Sequence, residues 1–165
     1  MKKVLDRLKT IDETYNAGSP VRVAAYEYNE LGQLVDKKLH STNSGSTYLQ
    51  SVDYRYTIRG QLSSINNSTL TVDSRNDDSN DVFGFELLYE QADAGIGNTG
   101  YFNGMLSAVK WKTNATGVAA TANERSYKFS YDKLLRLKHA NYADRSGSGS
   151  WGNTGAYDEK NISYD

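Results

Sequence analysis

Apolar and polar positions along this chain alternate with a period of two, and tyrosine carries most of the alternation. Tyr26 and Tyr28 flank Glu27, Tyr54 and Tyr56 flank Arg55, and Phe129 and Tyr131 flank Ser130. Successive side chains of a strand point to opposite faces, so each aromatic pair shares one face. No apolar i, i+3, i+4 stripe is sustained, and one proline among 165 residues leaves strands uninterrupted. The pattern predicts strands near 21–28, 33–39, 49–56, 61–65, 82–89, 101–111, 125–131 and 136–142. Polar connections fall at 41–47, 73–81, 92–100, 113–122 and 144–155. Ser146-Gly147-Ser148-Gly149-Ser150 reads as a flexible, tolerated insertion.

The residues after each aromatic pair reverse the chain. Asn29, Thr57 or Asp132 opens a turn with a side chain able to bond nearby backbone N–H groups. Gly32 or Gly60 closes it, where a positive φ costs glycine little, as in a type I turn followed by a glycine bulge. The return strands then begin at Leu34, Leu62 and Leu137. Leu135 stands where the glycine should be, so that hairpin either uses another turn or carries the strain of a leucine at positive φ, about 1–2 kcal/mol.

These stretches form an internal repeat, and repeated units bury their faces on one another. The segment Phe129-Ser130-Tyr131-Asp132-Lys133-Leu134-Leu135-Arg136-Leu137 resembles the motif Tyr-x-Tyr-Asp-x-x-Gly-Arg-Leu of the YD-repeat, or rearrangement-hotspot, family of large bacterial surface and secreted proteins. It departs at the first aromatic and the glycine. Leu5-Asp6-Arg7-Leu8 resembles the tail of a motif, Ile162-Ser163-Tyr164-Asp165 the head of another, and Tyr101-Phe102-Asn103-Gly104-Met105-Leu106 a degenerate copy. Motifs near 5–8, 26–34, 54–62, 101–106, 129–137 and 162–165 thus span residues 1–165. The expectation is a single repeat-type domain cut from a longer array, with loops setting an irregular period.

The resemblance implies an all-β fold of antiparallel hairpins forming one twisted, curled sheet, a segment of a YD-repeat shell. It also implies a secreted or cell-surface location and neighbouring repeats of the parent chain as partners. In the family such a shell encloses or displays a C-terminal effector or toxin domain. The family's self-cleaving protease segment, with aspartates beside proline, has no counterpart here, since the one proline is Pro20 after Ser19. Exposed strand edges would favour edge-to-edge dimers of an isolated fragment.

Composition narrows the alternatives. A mean hydropathy of −0.69 and a 38% hydrophobic fraction suggest strands wet on one face. A net charge of −1 gives no electrostatic case for nucleic acid or an anionic membrane. Cysteine is absent, which excludes disulfides and thiolate metal sites. Met1-Lys2-Lys3 does not open a signal peptide, because Val4-Leu5-Asp6-Arg7 puts charges in the required apolar run. No apolar stretch approaches the roughly 20 residues that span a bilayer.

Motifs that suggest chemistry are few. Gly95-Ile96-Gly97-Asn98-Thr99-Gly100 fits a dinucleotide fingerprint, but residues 101–106 read as strand rather than the helix such a site requires, so no cofactor is expected. Asp73, Asp77, Asp78 and Asp81 could offer oxygens to calcium, yet their spacing does not match the twelve-residue calcium loop, and a solvated acidic loop is the default. His40 and His139 lack partners at metal-ligand spacing. No serine-nucleophile elbow occurs. The aromatics, Trp111 and Tyr127 in particular, could stack on cell-wall sugars, but residues recurring in register with every turn are expected to ladder across strands instead. The reading is therefore a non-catalytic structural segment, with a carbohydrate- or cell-surface-binding module as the alternative.

Overall fold

A computed structural model describes residues 7–74, 76–114, 123–153 and 155–165. The first two residues of the 5–8 motif, and 115–122 of the connection expected at 113–122, lie outside the described residues. The described residues contain no helix. Nine strands run β1 Thr10–Glu13, β2 Val21–Tyr28, β3 Leu34–Ser41, β4 Tyr54–Tyr56, β5 Leu62–Ile65, β6 Phe83–Leu88, β7 Ala108–Thr113, β8 Glu124–Tyr131 and β9 Leu137–Arg145.

Every strand pairs antiparallel with its neighbour in sequence, but in two sheets rather than one: β1-β2-β3 and β4-β5-β6-β7-β8-β9. The all-β hairpin architecture is as expected. The single curled sheet is not, since neither sheet is closed or strongly curled. Backbone pairing continues across the join only through isolated bridges, Asp36 to Asp53 and Leu39 to Gln50. Residues 49–53, expected as strand, make this link outside any named strand, and 101–107, also expected as strand, is turn and loop.

The two faces of the larger sheet differ in an unexpected sense. One carries the row Ser64, Glu86, Lys110 and Ser126, paired in register across β5 to β8. The other carries Ile65, Phe85 and Trp111, with Tyr127 and Tyr142 beside them. The polar row is the buried one. Ser64, Glu86 and Ser126 are almost fully covered, and the largest fully buried side chains are Asn66, Asn67 and Asn76. Among the described residues the buried apolar side chains are only Ala24, Ile96, Ala108 and Ala140.

Long connections fold back over the polar row. From residues 66–82, the Ser68 amide donates to Glu86 (3.4 Å) and its hydroxyl to Glu124 (2.6 Å). Gly84 lacks a Cβ where the Asn67 carbonyl packs against β6. From residues 90–104, Asp93 pairs with Lys110 at 3.3 Å, and Asn98 donates to the Ser107 hydroxyl at 2.8 Å. These partners offset the cost of burying polar groups. The sheet is one layer under a polar blanket, with its aromatic face half open.

Candidate functional site

The turn motif folds alike in the three hairpins at 26–34, 54–62 and 129–137. Gly32, Gly60 and Leu135 have φ of 81°, 79° and 64°. Each donates its amide three residues back, to Asn29 (2.8 Å), Thr57 (2.9 Å) and Asp132 (3.0 Å). The turn opener's side chain in turn accepts from the amide four residues on, Gln33 to Asn29 (2.9 Å), Gln61 to Thr57 (3.2 Å) and Arg136 to Asp132 (3.0 Å). A bulge then precedes Tyr28, Tyr56 and Tyr131, which pair with Leu34, Leu62 and Leu137. The Arg136 amide, its guanidinium and the Leu134 amide together hold the Asp132 carboxyl below its ordinary value. The third hairpin thus keeps the turn geometry and carries leucine in the left-handed region.

A fourth unit is present, but its head is not Tyr101-Phe102. Leu88 pairs with Ala108 in the register that pairs Glu27 with Asp36, Arg55 with Ser64 and Ser130 with His139. Tyr89 therefore holds the position of Tyr28, with Glu90 in the aspartate place and Gly104 (φ 86°) ahead of Leu106. The loop between them carries the glycine fingerprint. Ile96 is buried, Asp93 and Asn98 tie down the polar face, and residues 101–107 after the loop are turn and loop rather than helix. Tyr101 instead packs its ring edge against Tyr131 at 5.3 Å, while Phe102 is exposed.

Neighbouring units are joined by one recurring contact. The motif tyrosine of one unit donates its hydroxyl to the carbonyl of the motif leucine before it: Tyr28 to Leu8 (3.0 Å), Tyr89 to Leu62 (3.0 Å), Tyr131 to Leu106 (2.8 Å) and Tyr164 to Leu137 (2.8 Å). Burial pushes the Tyr89 and Tyr131 hydroxyls up, which keeps them donors. Where the residue before that leucine is arginine, it also covers the tyrosine ring, Arg7 over Tyr28 at 5.5 Å and Arg136 over Tyr164 at 4.7 Å. The remaining motif residue, Asp165, is exposed beside Tyr164. Among the described residues the contact is missing only between Leu34 and Tyr56, the join of the two sheets. There Arg55 crosses instead, donating to the Val35 carbonyl at 3.1 Å.

Trp111 and Tyr127 meet on the aromatic face, stacked at 5.8 Å and 16°. Phe129 stacks on Tyr127 at 6.4 Å, and Tyr142 stands edge-on to Tyr127 at 5.5 Å and to Tyr157 at 5.1 Å. Trp111, Arg125, Tyr127, Tyr142 and Tyr157 line an open depression of about 290 Å³. Tyr26 and Tyr54 lie on other strands, half-buried, and do not join this group.

His139 accepts the Asn161 amide at 3.2 Å and His40 sits at a positive φ of 54°, and neither belongs to a metal-capable cluster among the described residues. The acidic loop divides. Asp73 closes its own turn with Asn76, whereas Asp77 and Asp78 meet Asp53 of the 49–53 link. No protein family, curated protein or solved structure matches the chain.

Proposed function

We propose that this chain is a non-catalytic structural segment of a YD-type repeat array, part of a β-strand shell or spacer of a secreted or surface protein that encloses or displays an effector domain. The observation that carries this reading is the tyrosine-to-leucine contact, which recurs at fixed motif positions and uses the aromatic hydroxyls to couple one unit to the next. A shell segment needs such sequential coupling, because each repeat touches only its neighbours. The second reading, a carbohydrate-binding module, is favoured by the half-open stack of Trp111, Tyr127 and Phe129. Calorimetric titration with cell-wall sugars separates the two. The structural reading expects no saturable heat, and Trp111→Ala altering stability alone. Micromolar binding that Trp111→Ala or Tyr127→Ala abolishes without unfolding the chain would replace it with the binding module.

A further inference from the structure

The join between the two sheets lacks the tyrosine contact, and it gathers carboxylates instead. Asp36 and Asp53 form the bridge across the join, and both are buried. One carboxylate oxygen each from Asp53, Asp77 and Asp78 lies within 4.8 Å of the others. Asp53 comes from the strand-like link before β4, Asp77 and Asp78 from the connection between β5 and β6, so residues 24 apart and more converge.

A fourth acid, Asp81, lies behind them. It is only 3% exposed, and neither of its carboxylate oxygens has a hydrogen-bond partner among the described residues. Oδ2 of Asp78 is also buried without a partner. The charges that act on Asp81 are those of Asp78, Asp53 and Asp77, so it lies near the triad. Burial first, and then these neighbours, push Asp81 up to about 6 against the pull of the Asn76 side chain, which comes near without meeting hydrogen-bond geometry.

Among the described residues the cations nearby are already engaged. Lys38 holds Asp36 and Glu27, each at 2.9 Å, and Arg55 reaches Asp53 only at 3.4 Å while donating to two backbone carbonyls. The Ser51 hydroxyl is given to Asp36 at 2.7 Å. Oδ2 of Asp53 accepts from the Asp77 amide at 3.1 Å. Converging carboxylates short of counter-charge, one of them buried and others with orphaned oxygens, are unfavourable, and a hard divalent cation removes the repulsion and the orphaned oxygens together.

We propose that Asp53, Asp77 and Asp78, backed by the buried carboxylate of Asp81, form a calcium site that fastens the 66–82 connection to the join of the two sheets. Calcium suits it better than magnesium, because ligands drawn from a loop and an irregular strand give a flexible oxygen set rather than a rigid octahedron. A cleft of about 380 Å³ lined by Lys38, Ser51 and Asp78 leads in from solvent. The ion would take the place, at this one join, of the contact that couples the other units.

The test is calorimetric titration of calcium chloride into the whole chain after chelator treatment, with thermal unfolding followed with and without the ion. One saturable site is expected, with a raised unfolding midpoint and weaker binding of magnesium. Asp78→Asn and Asp81→Asn should each weaken calcium binding by about tenfold or more, whereas Glu30→Gln, on an exposed turn, should not change it. Both asparagine variants relieve repulsion in the metal-free chain, so they should fold without calcium at least as well as the parent. Terbium luminescence in the unsubstituted chain, displaced by calcium, gives a reading independent of any variant. No heat, no shift of the midpoint and no terbium signal at millimolar ion would overturn the site, as would calcium binding that Asp78→Asn leaves intact.

Discussion

The hydroxyl of Tyr131 donates to the backbone carbonyl of Leu106 at 2.8 Å, across 25 residues of sequence and between two successive hairpins. Three other tyrosines make the same bond to the corresponding leucine, which turns a local motif into a rule for stacking units. The ring supplies cross-strand packing, and the hydroxyl satisfies a carbonyl that a bulged strand would otherwise leave without a ladder partner.

Leu135 is the one motif position where side chain and backbone disagree. Its φ of 64° is leucine's cost to bear, and its side chain is 58% exposed, so little burial offsets that cost. Leu135→Gly should stabilise the chain by about 1 kcal/mol in urea denaturation. Gly60→Val should destabilise it by roughly 1–3 kcal/mol through φ alone, since a Cβ there meets nothing closer than a flexible Gln33 amide at 3.6 Å. A destabilised Leu135→Gly would mean that the leucine contributes contacts greater than its strain.

Gly84 tests the polar blanket. A Cβ at this position would strike the backbone carbonyl of Asn67, which cannot move aside as a side-chain tip can. Gly84→Ala should therefore cost about 1–3 kcal/mol and raise hydrogen exchange in the 66–82 connection before the turn regions respond. Unchanged protection in that connection would show that it does not rest on β6.

Asp158 gives a pH signature. Its side chain is 2% exposed and takes hydrogen bonds from Lys160 (2.9 Å) and from the Tyr142 amide (2.7 Å). Lys160 above all lowers it from 3.8 to about 2. A depressed acid stabilises the fold above its unfolded value and loses that contribution as pH falls from about 4 through 2. Carbon-detected NMR titration should place the Asp158 midpoint near 2, and Lys160→Met should move it upward. A midpoint near the ordinary carboxylate value in the parent chain would show that the ion pair does not hold in solution.

Much of this architecture was legible in the residues. The paired aromatics located the incoming strands, and the opener and glycine located the turns, because a positive φ leaves few residue choices. Tyr89 was not legible, since the loop at 90–104 separates it from Gly104 and Leu106 and hides the register it shares with Tyr28. Burial of the polar face was not legible either. Period-two alternation identifies two faces, but which one long connections cover depends on Ser68, Asp93 and Asn98 finding partners far along the chain. The acidic cluster was half legible: Asp77, Asp78 and Asp81 are close in sequence, while Asp53 joins them only through folding, and Asp73 leaves to close a turn.

If the motif tyrosines couple one repeat to the next, then Tyr56, which lacks the leucine contact, is the internal control. Equilibrium urea denaturation of Tyr28→Phe, Tyr89→Phe, Tyr131→Phe and Tyr56→Phe measures the hydroxyl alone, because the ring is kept. The first three should each lose about 0.5–1.5 kcal/mol, the worth of one hydrogen bond, and Tyr56→Phe should stay within about 0.5 kcal/mol of the parent. Equal effects at all four positions, or no loss at Tyr89 and Tyr131, would mean that the hydroxyls do not join the units.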